Sequence, residues 1–99
     1  MAKRLVVLPE AEQDIAEAYD WYQERELGLE EEFLRCIEAS IQFIEGNPEI
    51  YAFAHANYRR ALVRQFPYAI FYEYFEDTIT VYAVFHCSQN PKKWRSRLN

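Results

Sequence analysis

The chain has 99 residues, of which 51% are hydrophobic and 17% aromatic, and this composition is typical of a globular domain rather than of a disordered chain. We expect a single domain over residues 1–99, because so short a chain cannot bury two cores. The apolar run at residues 5–8 is too short for a membrane span or a secretory signal. Two cysteines without metal-ligand spacing indicate reduced thiols, so we expect a cytoplasmic protein with no metal and no other cofactor.

The net charge of −5 is divided unevenly between the two halves of the chain. Residues 1–50 carry thirteen acidic and four basic side chains, whereas residues 51–99 carry three acidic and seven basic ones. The acidic half is typical of a solvated helix surface. The basic half indicates a surface that contacts an anionic partner.

The first half of the chain has the pattern of a strand followed by two helices. Residues 3–8 predict a short strand, and Pro9 followed by acidic residues is typical of a helix N-terminus. Apolar side chains at helical spacing predict one helix that ends at Gly28 and a second from Glu30 to Gly46. Because the break is short, the helices should form an antiparallel hairpin.

The second half changes to the composition of strands. Residues 59–66, 68–75 and 78–86 are rich in Val, Ile, Tyr and Phe, and they predict a three-strand meander. A last short helix should begin after Pro91. The order β-αα-βββ-α predicts an α+β fold: the N-terminal strand and the helical hairpin pack on one face of a mainly antiparallel four-stranded sheet, and a short C-terminal helix follows.

The strand register predicts which side chains share a face of the sheet. If Glu76-Asp77 is a two-residue hairpin loop, Tyr72 lies opposite Val81 and Tyr68 lies opposite Phe85, all on the apolar side that faces the helices. The opposite side would carry Arg60, Arg64, Glu73, Thr80, Tyr82 and His86. We therefore expect Arg60, Arg64 and His86 to project together from the side away from the helices.

Four segments carry a resemblance to a known family. They are AEQDIAEAYDWYQERELGLEEEF (11–33), FIEGNPEIY (43–51), YRRALVRQFPYAIFYEY (58–74) and AVFHCSQNPKKW (83–94). In this combination and order the chain resembles the RelE/ParE superfamily of bacterial toxins from type II toxin–antitoxin systems, the plasmid-stabilisation type. The resemblance implies a growth-inhibitory toxin, neutralised by a cognate antitoxin whose tail folds on the toxin as a helix or an added strand.

The resemblance also implies an antitoxin groove, for which the aromatic side chains Tyr19, Trp21 and Tyr22 are the candidates. Both a homodimer and a hetero-oligomer with the antitoxin stay open, and no membrane partner is expected.

One branch of the superfamily, RelE-like, cleaves messenger RNA on the ribosome. Such metal-free cleavage needs proton transfer and cations at the phosphate, and His86 with Arg64 and Arg60 would supply them. Against this branch, residues 47–57 contain no Lys or Arg, no tyrosine follows Tyr82, and the isoelectric point is about 5.0. A chain this acidic gains little long-range attraction to the ribosome.

The other branch, ParE-like, poisons DNA gyrase, and AVFHCSQNPKKW is similar to its strand-end segment. In this interpretation His86 and Trp94 are structural. The target-binding residues would be Tyr82, Lys92, Lys93, Arg95 and Arg97. The sequence favours this branch over the nuclease, and an inactive relative that retains only antitoxin binding is a further alternative. A general RNA-binding module is disfavoured, because no stacked-aromatic signature accompanies the basic residues.

Overall fold

A computed structural model of the chain describes residues 3–98, and it has the predicted α+β architecture. The elements are β1 (Arg4–Val7), α1 (Pro9–Gln23), α2 (Leu29–Gly46), β2 (Phe53–His55), β3 (Tyr58–Leu62), β4 (Tyr68–Phe75), β5 (Thr78–His86) and α3 (Pro91–Leu98). The predicted strand, helical hairpin, meander and C-terminal helix are therefore all confirmed.

The helical hairpin begins and ends where local chemistry dictates. Pro9 occupies the first turn of α1 after an extended Leu8, where the missing N–H of proline costs nothing. α1 ends at Gln23, earlier than predicted, because residues 24–28 form the reversal between the helices. Gly28 precedes α2 with φ 88°, a left-handed conformation that glycine adopts without steric cost.

The strands form one sheet in the order β1-β5-β4-β3-β2, in which β1 is parallel to β5 and the other pairs are antiparallel. β2 is a fifth strand that the sequence did not predict. Its three residues are too short to display the alternation by which a strand is recognised.

The register of β4 and β5 agrees with the prediction near the turn and departs from it farther along. Tyr72 lies opposite Val81 as predicted, but Phe71 lies opposite Ala83, so Tyr82 is an extra residue on β5. This is a β-bulge. Since one extra residue exchanges the faces of everything beyond it, Tyr68 lies opposite His86 instead of Phe85.

Both faces of the sheet are covered. On one face α1 and α2 pack their apolar stripe, including Phe33 and Ile37, onto Ile70, Tyr72 and other strand residues. On the other face α3 inserts Trp94, whose ring stacks on Phe71 at 5.1 Å, beside the buried Leu98. α3 thus covers part of the face that was expected to carry the polar side chains. No helix within residues 3–98 is long and apolar enough to cross a lipid bilayer.

Candidate functional site

A groove of about 1190 Å³ lies between α1, the C-terminal half of β5 and α3. It exists because β1 ends at Val7, opposite Val81, while β5 continues to His86. Over these last residues no strand of the described chain, 3–98, pairs with β5 on the β1 side. Its lining includes Asp14, Glu17 and Trp21 of α1, Tyr68 and His86 of the sheet, and Lys93 and Arg97 of α3.

Asp14 ties the three elements of this groove together. Its Oδ2 accepts the backbone N–H of Val84 at 3.0 Å and a hydrogen bond from Arg97 Nη2 at 2.8 Å, and its Oδ1 accepts one from Arg97 Nη1 at 3.3 Å. Burial raises the pKa of the Asp14 carboxyl above its usual range, although the bonds from Arg97 and Val84 act in the opposite direction. The bidentate pair joins the last turn of α3 to α1.

His86 lies on the helix side of the sheet, where its ring packs edge-on against Tyr68 at 5.2 Å. The Nδ1 atom accepts the backbone N–H of Ser88 at 3.0 Å and lies 2.7 Å from the Ser88 hydroxyl. A ring nitrogen that accepts a backbone N–H must keep its lone pair, so the neutral ring carries its proton on Nε2. His86 therefore stabilises the turn that follows β5.

The arginines predicted to accompany His86 lie elsewhere. Arg60 is opposite Phe71, so it projects on the α3 side of the sheet, opposite to His86. Arg64 is exposed in the loop after β3, because that loop spans residues 63–67 and is longer than the predicted two residues. The prediction that these three side chains share one face is wrong: Arg60 lies on the predicted side, but the unforeseen bulge at Tyr82 moves His86 to the other face and the longer loop displaces Arg64.

The predicted target-binding residues divide into two groups. Lys92, Lys93 and Arg95 are exposed on α3. Arg97, in contrast, is half-buried in its ion pair with Asp14. Tyr82 is half-buried and packs edge-on against the ring of Tyr58 at 4.8 Å. Burial raises the pKa of Tyr82, and the carboxylate of Glu73 adds to this effect.

Two of the three predicted antitoxin-binding aromatics, Trp21 and Tyr22, line the groove with their rings 5.1 Å apart, whereas Tyr19 lies elsewhere. Tyr22 is buried between Phe33 and Phe66 in the helix-side core. Tyr19 lies on another side of α1, where its hydroxyl donates to Glu31 at 2.8 Å. Trp21 is 49% exposed and lines the groove, so among the three it presents the largest free surface there.

Sequence reasoning missed Asp14 as a site residue and treated it as an ordinary acid near a helix N-terminus. The signal was present, because Asp14 is three residues after Ala11 and four before Ala18, which are both buried. A charged residue at a core-facing helical position generally has a buried partner.

The fold is shared with solved toxin structures. The chromosomal ParDE TA system from P. aeruginosa matches with a TM-score of 0.71 and 15% sequence identity, covering 86% of this chain and 96% of that chain. The isolated E. coli RelE toxin matches with a TM-score of 0.59 and 11% identity, covering 96% and 95%. At these identities the likeness concerns the fold alone. No curated protein matches the chain in sequence.

The family comparison is more specific than the structural one. The family model described as ParE toxin of type II toxin-antitoxin system, parDE, matches residues 5–91, which is most of the chain. The match includes α1 with the groove wall that holds Asp14, α2, and the whole sheet apart from Arg4 of β1. The chain therefore belongs to the ParE toxin family, and it is a ParE/RelE-type toxin of a type II toxin–antitoxin system.

Proposed function

We propose that this toxin inhibits growth by poisoning DNA gyrase in the cytoplasm, and that a cognate antitoxin neutralises it. The observation that carries the choice of target is the position of His86. Its Nδ1 is engaged with Ser88, and its ring lies on the opposite side of the sheet from Arg60. Acid–base cleavage of RNA requires the proton-transfer group and the phosphate-binding cations around one reacting atom. Because His86 and Arg60 lie on opposite sides of the sheet, their arrangement favours the gyrase proposal over RNA cleavage.

The surface of α3 supports the same proposal. Lys92, Lys93 and Arg95 are exposed there, on a helix held to the sheet by the buried Trp94. The guanidinium of Arg95 lies over the Trp94 ring at 5.4 Å. A cationic helix on a protein of net negative charge is suited to a large anionic partner, and it needs no catalytic group.

Messenger RNA cleavage is the second candidate, because the E. coli RelE toxin shares the fold over 96% of this chain. On that hypothesis Arg60 and Arg64, both exposed, would contact phosphate and His86 would transfer the proton.

The test combines a growth assay with a supercoiling assay. We expect expression of the chain to arrest bacterial growth, co-expression of the small neighbouring gene to restore it, and the purified toxin to inhibit supercoiling by gyrase. Replacing Lys92, Lys93 and Arg95 together by Gln should abolish most of the inhibition. The matched control replaces Lys3, Arg4 and Arg35 by Gln, which removes the same charge away from α3.

His86→Ala separates the two candidates. If His86 is structural, the variant should lose less than about tenfold in potency, whereas loss of an acid–base group costs roughly 10²- to 10⁴-fold. Normal supercoiling together with codon-phased cuts in messenger RNA would contradict the gyrase proposal. Unaffected growth with abundant folded protein would contradict the proposal that the chain is an active toxin, and it would favour an inactive relative.

A further inference from the structure

β2 is an edge strand whose outer side is open. The Arg60 N–H donates to the Ala52 carbonyl at 3.3 Å, and Phe53 lies opposite Arg59. Phe53 and Arg59 therefore form a non-hydrogen-bonded pair, in which the N–H and the C=O of Phe53 both point away from β3. Within residues 3–98 the sheet has no strand beyond β2. The main chain of Phe53 thus offers a donor and an acceptor at the border of the sheet.

Large apolar side chains lie beside this edge and face solvent. Phe53 is 58% exposed and Ile50 is 63% exposed. Phe43 of α2 is 42% exposed, and its ring lies 6.1 Å from that of Tyr51, in the segment that leads into β2. The open edge and the apolar surface therefore belong to one patch.

Arg59 holds the Phe53 ring in position. Its guanidinium lies over the ring at 4.0 Å, and the same group donates to the carbonyls of Glu49 and Tyr51 at 3.1 and 2.7 Å. A ring that is already ordered loses little conformational entropy when a partner covers it. Phe53 thus has the properties of a preformed contact residue.

The edge also carries little of the protection that monomeric proteins give to an edge strand. Residues 50–58, IYAFAHANY, contain no Asp, Glu, Lys, Arg or Pro, and the one irregularity is a register shift between Phe53 and His55. Because the chain has a net charge of −5, two copies repel each other least where an uncharged segment of one meets an uncharged segment of the other.

We propose that β2 pairs antiparallel with β2 of a second copy about a twofold axis at Phe53, which joins the two five-stranded sheets into one. A residue whose N–H and C=O both point outward is its own partner under a twofold rotation, because the two copies exchange both hydrogen bonds. The two Phe53 side chains then lie opposite each other, with Cα atoms roughly 5.5 Å apart. Directly opposed aromatic side chains stabilise strand pairs.

The charges near the axis are compatible with this pairing. Across the joined sheet the order of side chains is Arg59, Phe53, then Phe53 and Arg59 of the second copy. The two arginine strands are three strand spacings apart, roughly 14 Å. This exceeds the screening length of about 8 Å at physiological salt, so the guanidinium groups repel each other only weakly.

The size of the patch determines how tightly the copies bind. The side chains of Phe43, Ile50 and Phe53 expose roughly 300 Å² per copy, compared with about 800 Å² buried on each partner in a stable complex. The main chain of β2 adds to this area. We therefore expect a weak, reversible dimer with a dissociation constant of about 10–100 μM.

Sedimentation equilibrium of toxin from cell-free synthesis, at about 5–500 μM, measures this dissociation constant. Phe53→Lys removes the aromatic pair and opposes two cations at the axis, so it should raise the constant at least about tenfold. Ile50→Lys should raise it by about threefold or more. The matched control is Leu27→Lys, at a fully exposed aliphatic residue in the reversal before α2, and it should leave the constant unchanged. All three positions are exposed, and circular dichroism checks that the variants fold.

Hydrogen exchange identifies the contact itself. The Phe53 amide should exchange rapidly at low protein concentration and become protected as the dimer forms, because its N–H then bonds to the second copy. A toxin that stays monomeric up to the highest concentration would overturn the inference. So would a dimer that Phe53→Lys leaves intact, or a Phe53 amide whose exchange does not depend on concentration.

The inference goes beyond the proposed function and is tested separately from it. Lys92, Lys93 and Arg95 lie on α3 and are not part of the proposed interface, so replacing them should change gyrase inhibition and leave the dissociation constant as it is. The dimer can therefore fail while the gyrase proposal succeeds, and the reverse.

Discussion

Asp14 is the residue on which the arrangement of the groove depends. Its side chain, on α1, is 13% exposed and contacts both α3 and β5. Its partner on α3, Arg97, lies 83 residues farther along the sequence. Because burial raises its pKa despite the ion pair, the charged form is less favourable in the folded protein than in water. Such a pair contributes more to how α3 docks than to net stability.

We therefore expect Asp14→Asn to change the free energy of unfolding by no more than about 1 kcal/mol at neutral pH, since Asn still accepts the Val84 N–H. The folded-state pKa lies above the ordinary value of 3.8, so the favourable contribution of Asp14 is fully present below 3.8. It is lost as the pH rises through the folded-state pKa. The parent should gain stability relative to the variant as the pH falls from neutral to about 4.

Urea denaturation of both proteins across this range measures the effect. A loss above about 3 kcal/mol at neutral pH would contradict this expectation and show that Arg97 is left as an uncompensated buried charge. Parallel pH profiles would show that the pKa of Asp14 is not raised in the folded protein.

At the scale of elements, the β4–β5 hairpin determines where the site residues point. Its loop, Glu76-Asp77, has φ of 49° and 59°, which is the backbone of a type I′ turn without the glycine that this turn prefers. The bulge at Tyr82 then exchanges the faces of the last residues of β5, and it places His86 beside α1. The early end of β1 leaves room for the groove, and the turn and the bulge place His86 in it.

Replacing Glu76 by Asn and Asp77 by Gly should stabilise the protein by about 1 kcal/mol, because left-handed conformations cost less in these residues. The double variant also loses the hydrogen bond from the Tyr74 hydroxyl to Asp77 Oδ1, which is 3.1 Å long and exposed. Tyr74→Phe removes that bond alone and serves as the control. Thermal unfolding compares the stability of the double variant with that of Tyr74→Phe and of the parent protein. A double variant less stable than Tyr74→Phe would argue against strain in this turn.

At the scale of the whole molecule, the sheet separates two cores of unequal size. The helix-side core contains Phe33, Ile37 and Tyr72, and it joins both helices to the strands. The smaller core joins α3 to the sheet through Trp94, Leu98 and Phe71. The position of the cationic surface therefore depends on the smaller core, while the main fold does not.

Trp94→Ala should destabilise the protein by about 3 kcal/mol, because it empties a site where the side chain is 9% exposed. Amide protection should be lost first over residues 91–98, whereas α1 and α2 should keep theirs. Trp21→Ala removes an exposed tryptophan and should cost about 1 kcal/mol or less. Hydrogen exchange of both variants checks this; equal loss of protection throughout the chain would contradict two separable cores.

The sequence by itself determined the order of the elements apart from β2, the helical hairpin and the two-residue turn, because each depends on local periodicity or on turn residues such as Gly28. It also identified the superfamily. The tertiary structure decided the rest: the bulge at Tyr82 depends on how two strands pair, and the Asp14–Arg97 contact joins distant segments. Local preferences carry no information about such long-range pairing, and a shift of one residue was enough to move His86 to the other face.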